Sequence, residues 1–198
     1  MSVILDLCGG TGGWSRPYAD AGYEVITVDL GDDATPDVPD RPGLVRCDVR
    51  LWEPPQGLRV HGILAAPPCT LFAVSGARWW QERDPDGARL RDGLSVVDAC
   101  LRLVQVLSPD WWAMENPVGR LRRWVGPPRA TFQPWEYGDP YRKRTLLWGD
   151  FVMPQRCHRT APPGTDSRIH MASPGPDRAR LRSVTPPHFA AAFMAANP

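Results

Sequence analysis

Largely apolar runs, each closing on an acid or a proline, punctuate the first two thirds of this chain. Val3-Ile4-Leu5 leads to Asp6, Glu24-Val25-Ile26-Thr27-Val28 to Asp29, and Gly43-Leu44-Val45-Arg46-Cys47 to Asp48. Gly62-Ile63-Leu64-Ala65-Ala66 runs into Pro67-Pro68-Cys69, and Trp111-Trp112-Ala113-Met114 into Glu115-Asn116-Pro117. Runs without polar alternation suit strands covered on both faces, as in a parallel sheet. Proline cannot donate to a ladder, so the last two strands must stop at these prolines. Between them, Leu90, Leu94, Val97, Leu101 and Val104 recur at helical spacing and predict a structural helix over 87–107. A short helix to about Ala21 follows the first strand. A last helix opens at Thr185, the candidate N-cap, with Pro186 at its first position and Phe189, Ala192, Phe193 and Ala196 on its apolar side. Arg142 to Trp148 reads as a further strand that places Arg142 and Arg144 on one face. Residues 70–86 read as a loop, and 151–182 as an irregular segment rich in proline, glycine and arginine. The pattern predicts an α/β fold, one domain over 1–198, with a central, mostly parallel sheet flanked by helices.

In such a sheet, ligands and chemistry lie at the carboxyl edge. Three things arrive there. The first is Cys8-Gly9-Gly10-Thr11-Gly12-Gly13, with Trp14 after it. Its glycines permit a tight turn and close approach of a ligand, and the following helix start offers free N–H groups. Asp29 follows the loop by about twenty residues, the spacing at which a carboxylate grips a ribose. No lysine follows the glycines, so the loop does not match a nucleoside-triphosphate site and an adenosine-containing cofactor is favoured. Asp48 is either a solvated loop acid or an acceptor for an adenine amino group. The second is Cys69, a candidate nucleophile followed by a long loop that can serve as a lid. Trp79-Trp80 on that loop either stack on bases or cap the core. The third is Glu115, an acid whose burial would demand a partner or a raised pKa.

Composition narrows the class. Hydrophobic content of 42% over 198 residues fits a globular chain. No run approaches a membrane span and no leader opens the chain, so the expectation is a soluble, cytoplasmic protein and a monomer. Five cysteines without paired spacing argue against a disulfide framework or a zinc ribbon, and Cys47 and Cys100 read as small buried hydrophobes. Cys157-His158 does not make a metal site. The net charge of +1 conceals an acidic stretch, 1–118, at −7 and a basic one, 119–198, at +8. The basic stretch is either a phosphate-binding face or an arginine-rich solvated surface. Lys143 is the single lysine among 23 basic residues, a bias that points to a GC-rich genome as well as to function.

Together these motifs resemble the cytosine-C5 DNA methyltransferase family over most of the chain. Asp6-Leu7-Cys8-Gly9-Gly10-Thr11-Gly12-Gly13 looks like the family's S-adenosylmethionine loop, and Pro67-Pro68-Cys69 like its nucleophile motif. Glu115-Asn116 looks like its acid motif, Arg142-Lys143-Arg144 like its arginine-x-arginine strand, and Ser183-Val184-Thr185-Pro186-Pro187 like its final motif. The resemblance implies a Rossmann-like S-adenosylmethionine-dependent fold. It implies S-adenosyl-L-methionine bound by Asp6, Cys8 to Trp14, Asp29, Leu30, Asp48, Val49, Pro67, Arg182 and Ser183. It implies catalysis by Cys69, Glu115, Arg142 and Arg144 on DNA, either duplex with a flipped cytosine or single-stranded. Cys69 would add to C6, Glu115 would hold a proton at N3, and the arginines would bind O2 or position the loop.

Three departures stand out. Thr70 and Pro117 occupy positions where the family more often has glutamine and valine. Residues 151–182 are all that stands where a sizeable recognition region is usual. From this, recognition is expected to be short, with Arg156, Arg159, Arg168, Arg178 and Arg180 holding phosphates. Arg182 stands where asparagine is usual, which raises the expectation of a more acidic methionine-derived donor. The rival readings are the same chemistry on transfer RNA, alkyl transfer from such a modified donor, and nucleic-acid binding without catalysis.

Overall fold

The computed structural model describes residues 2–31, 42–171 and 182–198. Seven strands form one sheet in the order β3-β2-β1-β4-β5-β7-β6. They are β1 (Val3–Leu7), β2 (Glu24–Asp29), β3 (Leu44–Arg46), β4 (Val60–Ala65), β5 (Trp111–Pro117), β6 (Ala130–Phe132) and β7 (Thr145–Asp150). The first five are parallel, while β7 runs antiparallel to both β5 and β6. Register aligns the strand ends that matter: Leu7 pairs with Val28 and with Ala65, and Ala65 with Met114. The loops after β1, β4 and β5 therefore leave one edge at one level.

The largely apolar runs are explained by burial on both faces. On one face, Leu5, Leu7, Ile63, Ala65 and Met114 pack with Val97, Cys100 and Leu103 of α3 (Ala88–Leu107). On the other, Ile4, Leu64, Ala113 and Leu147 pack with Trp14, Tyr18 of α1 (Arg16–Asp20), and Phe189 and Phe193 of the last helix, α6 (Pro187–Ala196). Phe132 stacks on Phe189 with centroids 3.7 Å apart. Each fully buried side chain of this size contributes roughly 1.5–3 kcal/mol. Three short helices are α2 (Trp80–Arg83), α4 (Arg122–Val125) and α5 (Arg168–Met171).

Several expectations are corrected. Residues 70–86 are not plain loop: a 3-10 turn over Val74–Trp79 runs into α2. The strand expected from Arg142 begins at Thr145, because the chain ahead of it is held by contacts other than a ladder. Those contacts are Arg142 N–H to Asp166 O (2.9 Å) and Lys143 N–H to the Gln133 side chain (3.1 Å). The last helix starts at Pro187 with Pro186 in the cap position, and Thr185 makes no capping bond. Strand β6 and helix α4 lack the length to show a period and were not expected. Arg178 and Arg180, expected at phosphates, lie outside the described residues.

Candidate functional site

The glycine loop is shaped by the strand it leaves. Cys8 N–H donates to Val28 O at 2.8 Å, which prolongs the β1–β2 pairing, and Cys8 stands at φ +56°. A non-glycine residue in that region is strained, and such strain gathers at ligand sites. Gly9 sits directly over Asp6: a Cβ there would lie 2.4 Å from the Asp6 carboxyl carbon. Asp6 is 1% exposed and accepts the Ser15 hydroxyl at 2.5 Å, so the acid anchors the loop from below. Asp29 accepts Gly10 N–H at 2.8 Å and Gly31 N–H at 2.9 Å. The acid expected to grip a ribose is therefore at the loop, and it also organises it. Gly12 and Gly13 lie on the same turn, and a Cβ on Gly13 would stand 3.7 Å from Thr185 O. The loop thus borders the segment before α6.

The other expected cofactor residues divide. Leu30 is exposed at the end of β2, and Thr11 is half-buried on the loop. Asp48 is clasped by Arg50 at 2.5 Å, which holds its carboxyl below the usual range; Arg50 also reaches Asp92. Val49 is buried in the α3-side core, so its side chain serves packing. Trp14 is 3% exposed and packs edge-on against Phe193 at 5.4 Å, while its indole N–H has no hydrogen-bond partner. Ser183 is exposed. Arg182 donates to the Ser75 hydroxyl at 2.7 Å, linking the segment before α6 to the loop that follows Cys69.

Cys69 and Glu115 come together as expected. Asn116, fully buried on β5, donates its amide to Pro67 O at 3.0 Å. That bond ties the acid's strand to the nucleophile's loop across two neighbouring strand ends. Cys69 O in turn accepts Phe72 N–H (3.0 Å) and Ala73 N–H (2.9 Å), starting a tight turn. Gly119 lets this loop press on β5's continuation, since a Cβ there would fall 1.9 Å from Phe72 O. Arg120 donates to Leu71 O at 2.8 Å and lays its guanidinium 4.1 Å over the Trp80 ring. Trp80 therefore serves the loop clasp, whereas Trp79 lies beside Arg78 and Arg83.

Electrostatics makes the pair unusual. Burial, then Glu115, push the Cys69 thiol up; Lys143 and Arg182 oppose this. Burial likewise raises Glu115, against the pull of Lys143. Lys143 is 8% exposed, and its ammonium donates to Val184 O at 2.8 Å. Glu115, Lys143, Trp14, Thr185 and Pro186 line one small cavity. Arg142 and Arg144 do share a face, but it is the exposed one, and Arg142 donates to Thr165 O at 2.7 Å. The residue between them is the one that turns inward. Lys143 was missed as a site residue although its being the chain's lone lysine was visible. Asn116 and Arg120 were missed as positioning residues because their partners are backbone carbonyls, which carry no sequence signal.

Of the arginines expected at phosphates, Arg156 pairs with Glu136 at 3.2 Å and Arg168 with Asp166 at 2.6 Å, while Arg159 is exposed. Among the described residues no cluster could hold a metal ion, and no helix is long and apolar enough to cross a membrane.

Comparison with known proteins fits this architecture. No family model matches the chain. Its sequence is homologous to part of the type II methyltransferase M.DdeI of Desulfomicrobium norvegicum, at 33% identity over 131 residues, covering 60% of this chain and 28% of that protein. Its fold is that of a prophage-encoded E. coli protein described as a DNA modification methyltransferase, with TM-score 0.51 and 20% identity over 76% of this chain and 47% of that one. The S. pombe Dnmt2 methyltransferase aligns with TM-score 0.47 and 12% identity over 75% of this chain and 48% of that one. The chain thus spans under a third of its sequence relative and about half of these structures. The fold is Rossmann-like, as in the prophage-encoded methyltransferase structure it matches.

Proposed function

We propose that this protein transfers a methyl group from S-adenosyl-L-methionine to C5 of cytosine in DNA, through a covalent bond from Cys69. The observation that carries the reading is the Asn116–Pro67 bond, which holds the half-buried Cys69 and a desolvated acid at one strand edge beside the glycine loop. The donor fits this chain: open space among the described residues where a Cβ on Gly10 would stand, a strained Cys8, and the Asp29 carboxylate at the loop's edge. Cys8 to Trp14, Asp29, Leu30, Asp48, Pro67 and Ser183 would hold it, and when bound it supplies an electrophilic methyl group.

The remaining chemistry belongs to the chain. Cytosine C5 is a weak nucleophile. The Cys69 thiolate adds at C6 and gives C5 enamine character. Glu115, whose carboxyl burial pushes above the usual carboxylate range, donates a proton at N3 so that negative charge does not build on the ring. Once C5 carries the methyl group, loss of its proton and departure of the thiolate restore the ring. Arg144 and Arg142, both exposed beside this edge, meet the base O2 or the strand carrying it. The target base must be flipped out or single-stranded to reach Cys69.

Nucleoside mass spectrometry on DNA from cells expressing the protein, beside a Cys69→Ala control, tests this. A cytosine heavier by one methyl group, absent in the control, is expected. Unmodified DNA with methylated RNA would move the substrate to RNA. A heavier adduct would implicate a modified donor. No modification of either nucleic acid would overturn the reading in favour of binding without catalysis.

A further inference from the structure

A cavity of about 250 Å³ lies on the face of the sheet that α3 covers, and it shares no lining residue with the small cavity at Glu115. Trp112 of β5 and Trp148 of β7 stand on that face and give the cavity an aromatic floor. One wall is α3, where Leu94, Asp98 and Leu101 recur at i, i+4 and i+7. The other wall is α4, which contributes Trp124, 45% exposed. The Trp148 indole N–H donates to Gly126 O at 3.0 Å, which fixes that ring in the floor.

Two features set this space apart from a packing gap. The first is its tryptophans. Trp14 and Trp111 are locked into ring clusters, and Trp79 and Trp80 lie under guanidinium groups. Among the described residues, Trp112, Trp124 and Trp148 meet neither another aromatic ring nor a cation. Protein interiors are close-packed, so three indoles around a space of this size leave aromatic surface unmatched. The second is Asp98. It is the one charged side chain lining the cavity, it is exposed, and it pairs with no base among the described residues. It also shares the helix face of Leu94 and Leu101, where packing alone asks for an apolar residue. A neutral apolar ligand would leave Asp98 without a partner, and an anion would be repelled by it. A hydrated metal ion would gain little from the indoles. An organic cation satisfies both features: its alkyl groups lie against the electron-rich ring faces while its charge faces the carboxylate.

We propose that this cavity binds the alkylated ammonium group of a small organic cation. The inference stands apart from methyl transfer, and its test needs neither nucleic acid nor donor.

Choline is titrated into the full-chain protein and followed through the indole N–H signals in heteronuclear NMR spectra. Its neutral isostere, with a quaternary carbon in place of nitrogen, is titrated in parallel. Saturable shifts of the Trp112, Trp124 and Trp148 signals, identified by single Trp→Phe changes, are expected with choline. The isostere is expected to bind about tenfold more weakly. Asp98→Asn and Trp124→Leu, both at exposed positions, are each expected to weaken choline binding about fivefold. No saturable response to choline would overturn the proposal, and so would wild-type affinity in both variants. An isostere that binds as tightly as choline would overturn it too, because the cavity would then be merely apolar, and this comparison needs no variant. A trimethyl-lysine peptide that binds where choline does not would also overturn it, since the ligand would then be a protein segment.

Discussion

At the scale of single residues, Gly9 is tightly constrained. Any side chain there meets the Asp6 carboxyl, itself buried and held by Ser15. Gly9→Ala is expected to cost about 1–3 kcal/mol in stability through overpacking. It should also weaken binding of S-adenosylmethionine or its demethylated product, read by calorimetry. Unchanged stability and binding would mean that the loop does not rely on this close approach. The glycine loop and its acid were legible because backbone conformation and close approach restrict residue type. Lys143 was legible only as an oddity of composition. Its direction depends on which side of the chain faces Glu115, and that is set by the Gln133 and Asp166 contacts, distant in sequence.

At the scale of elements, the nucleophile loop is held by three backbone-directed contacts: Asn116 to Pro67 O, Arg120 to Leu71 O, and Gly119 under Phe72. Arg120→Ala removes both the carbonyl bond and the ring contact with Trp80. It is expected to lower kcat about tenfold or more through misplacement of Cys69, with smaller effect on donor binding. Equal kcat in the variant would show that the loop is positioned without the clasp. The strands β1, β2, β4 and β5 and helix α3 were legible because burial on two faces or one writes a clear pattern. Strand β6 and helix α4 were not, since three or four residues cannot show a period. The late start of β7 was hidden for another reason: alternation continues through Arg142–Arg144, but side-chain and loop contacts replace the ladder there.

At the scale of the whole molecule, His61 ties the end of α6 to the sheet. Its ring lies 2.6 Å from Pro198 O and 2.6 Å from the Asp110 carboxylate. The Pro198 carbonyl foremost, with Asp110 adding to it, raises the imidazole above 6.5 against the opposing effect of burial. A raised folded-state value means that the charged form is favoured by folding. This contribution is complete below the unfolded value and is lost as pH climbs through the folded one. The stability difference between the wild type and His61→Gln should therefore be larger near about pH 5.5 than near about pH 8.5, read from denaturant midpoints. A difference independent of pH would deny His61 this role. On the same scale, the basic 119–198 stretch predicts that DNA binding weakens steeply with salt. Arg156 and Arg168 are already paired with acids, so the slope should fall more in Arg159→Ala than in Arg168→Ala, as measured by titration at several salt concentrations.

The central claim is that Cys69 bonds to C6 of cytosine while Glu115 protonates the ring. A DNA duplex carrying 5-fluorocytosine tests it most directly, because fluorine at C5 blocks the proton loss that releases the enzyme. With S-adenosylmethionine present, the wild type should form a denaturation-resistant complex whose cross-linked peptide contains Cys69, and Cys69→Ala should form none. A complex through another residue, or none with a folded, donor-binding wild type on duplex and single-stranded DNA alike, would contradict the account.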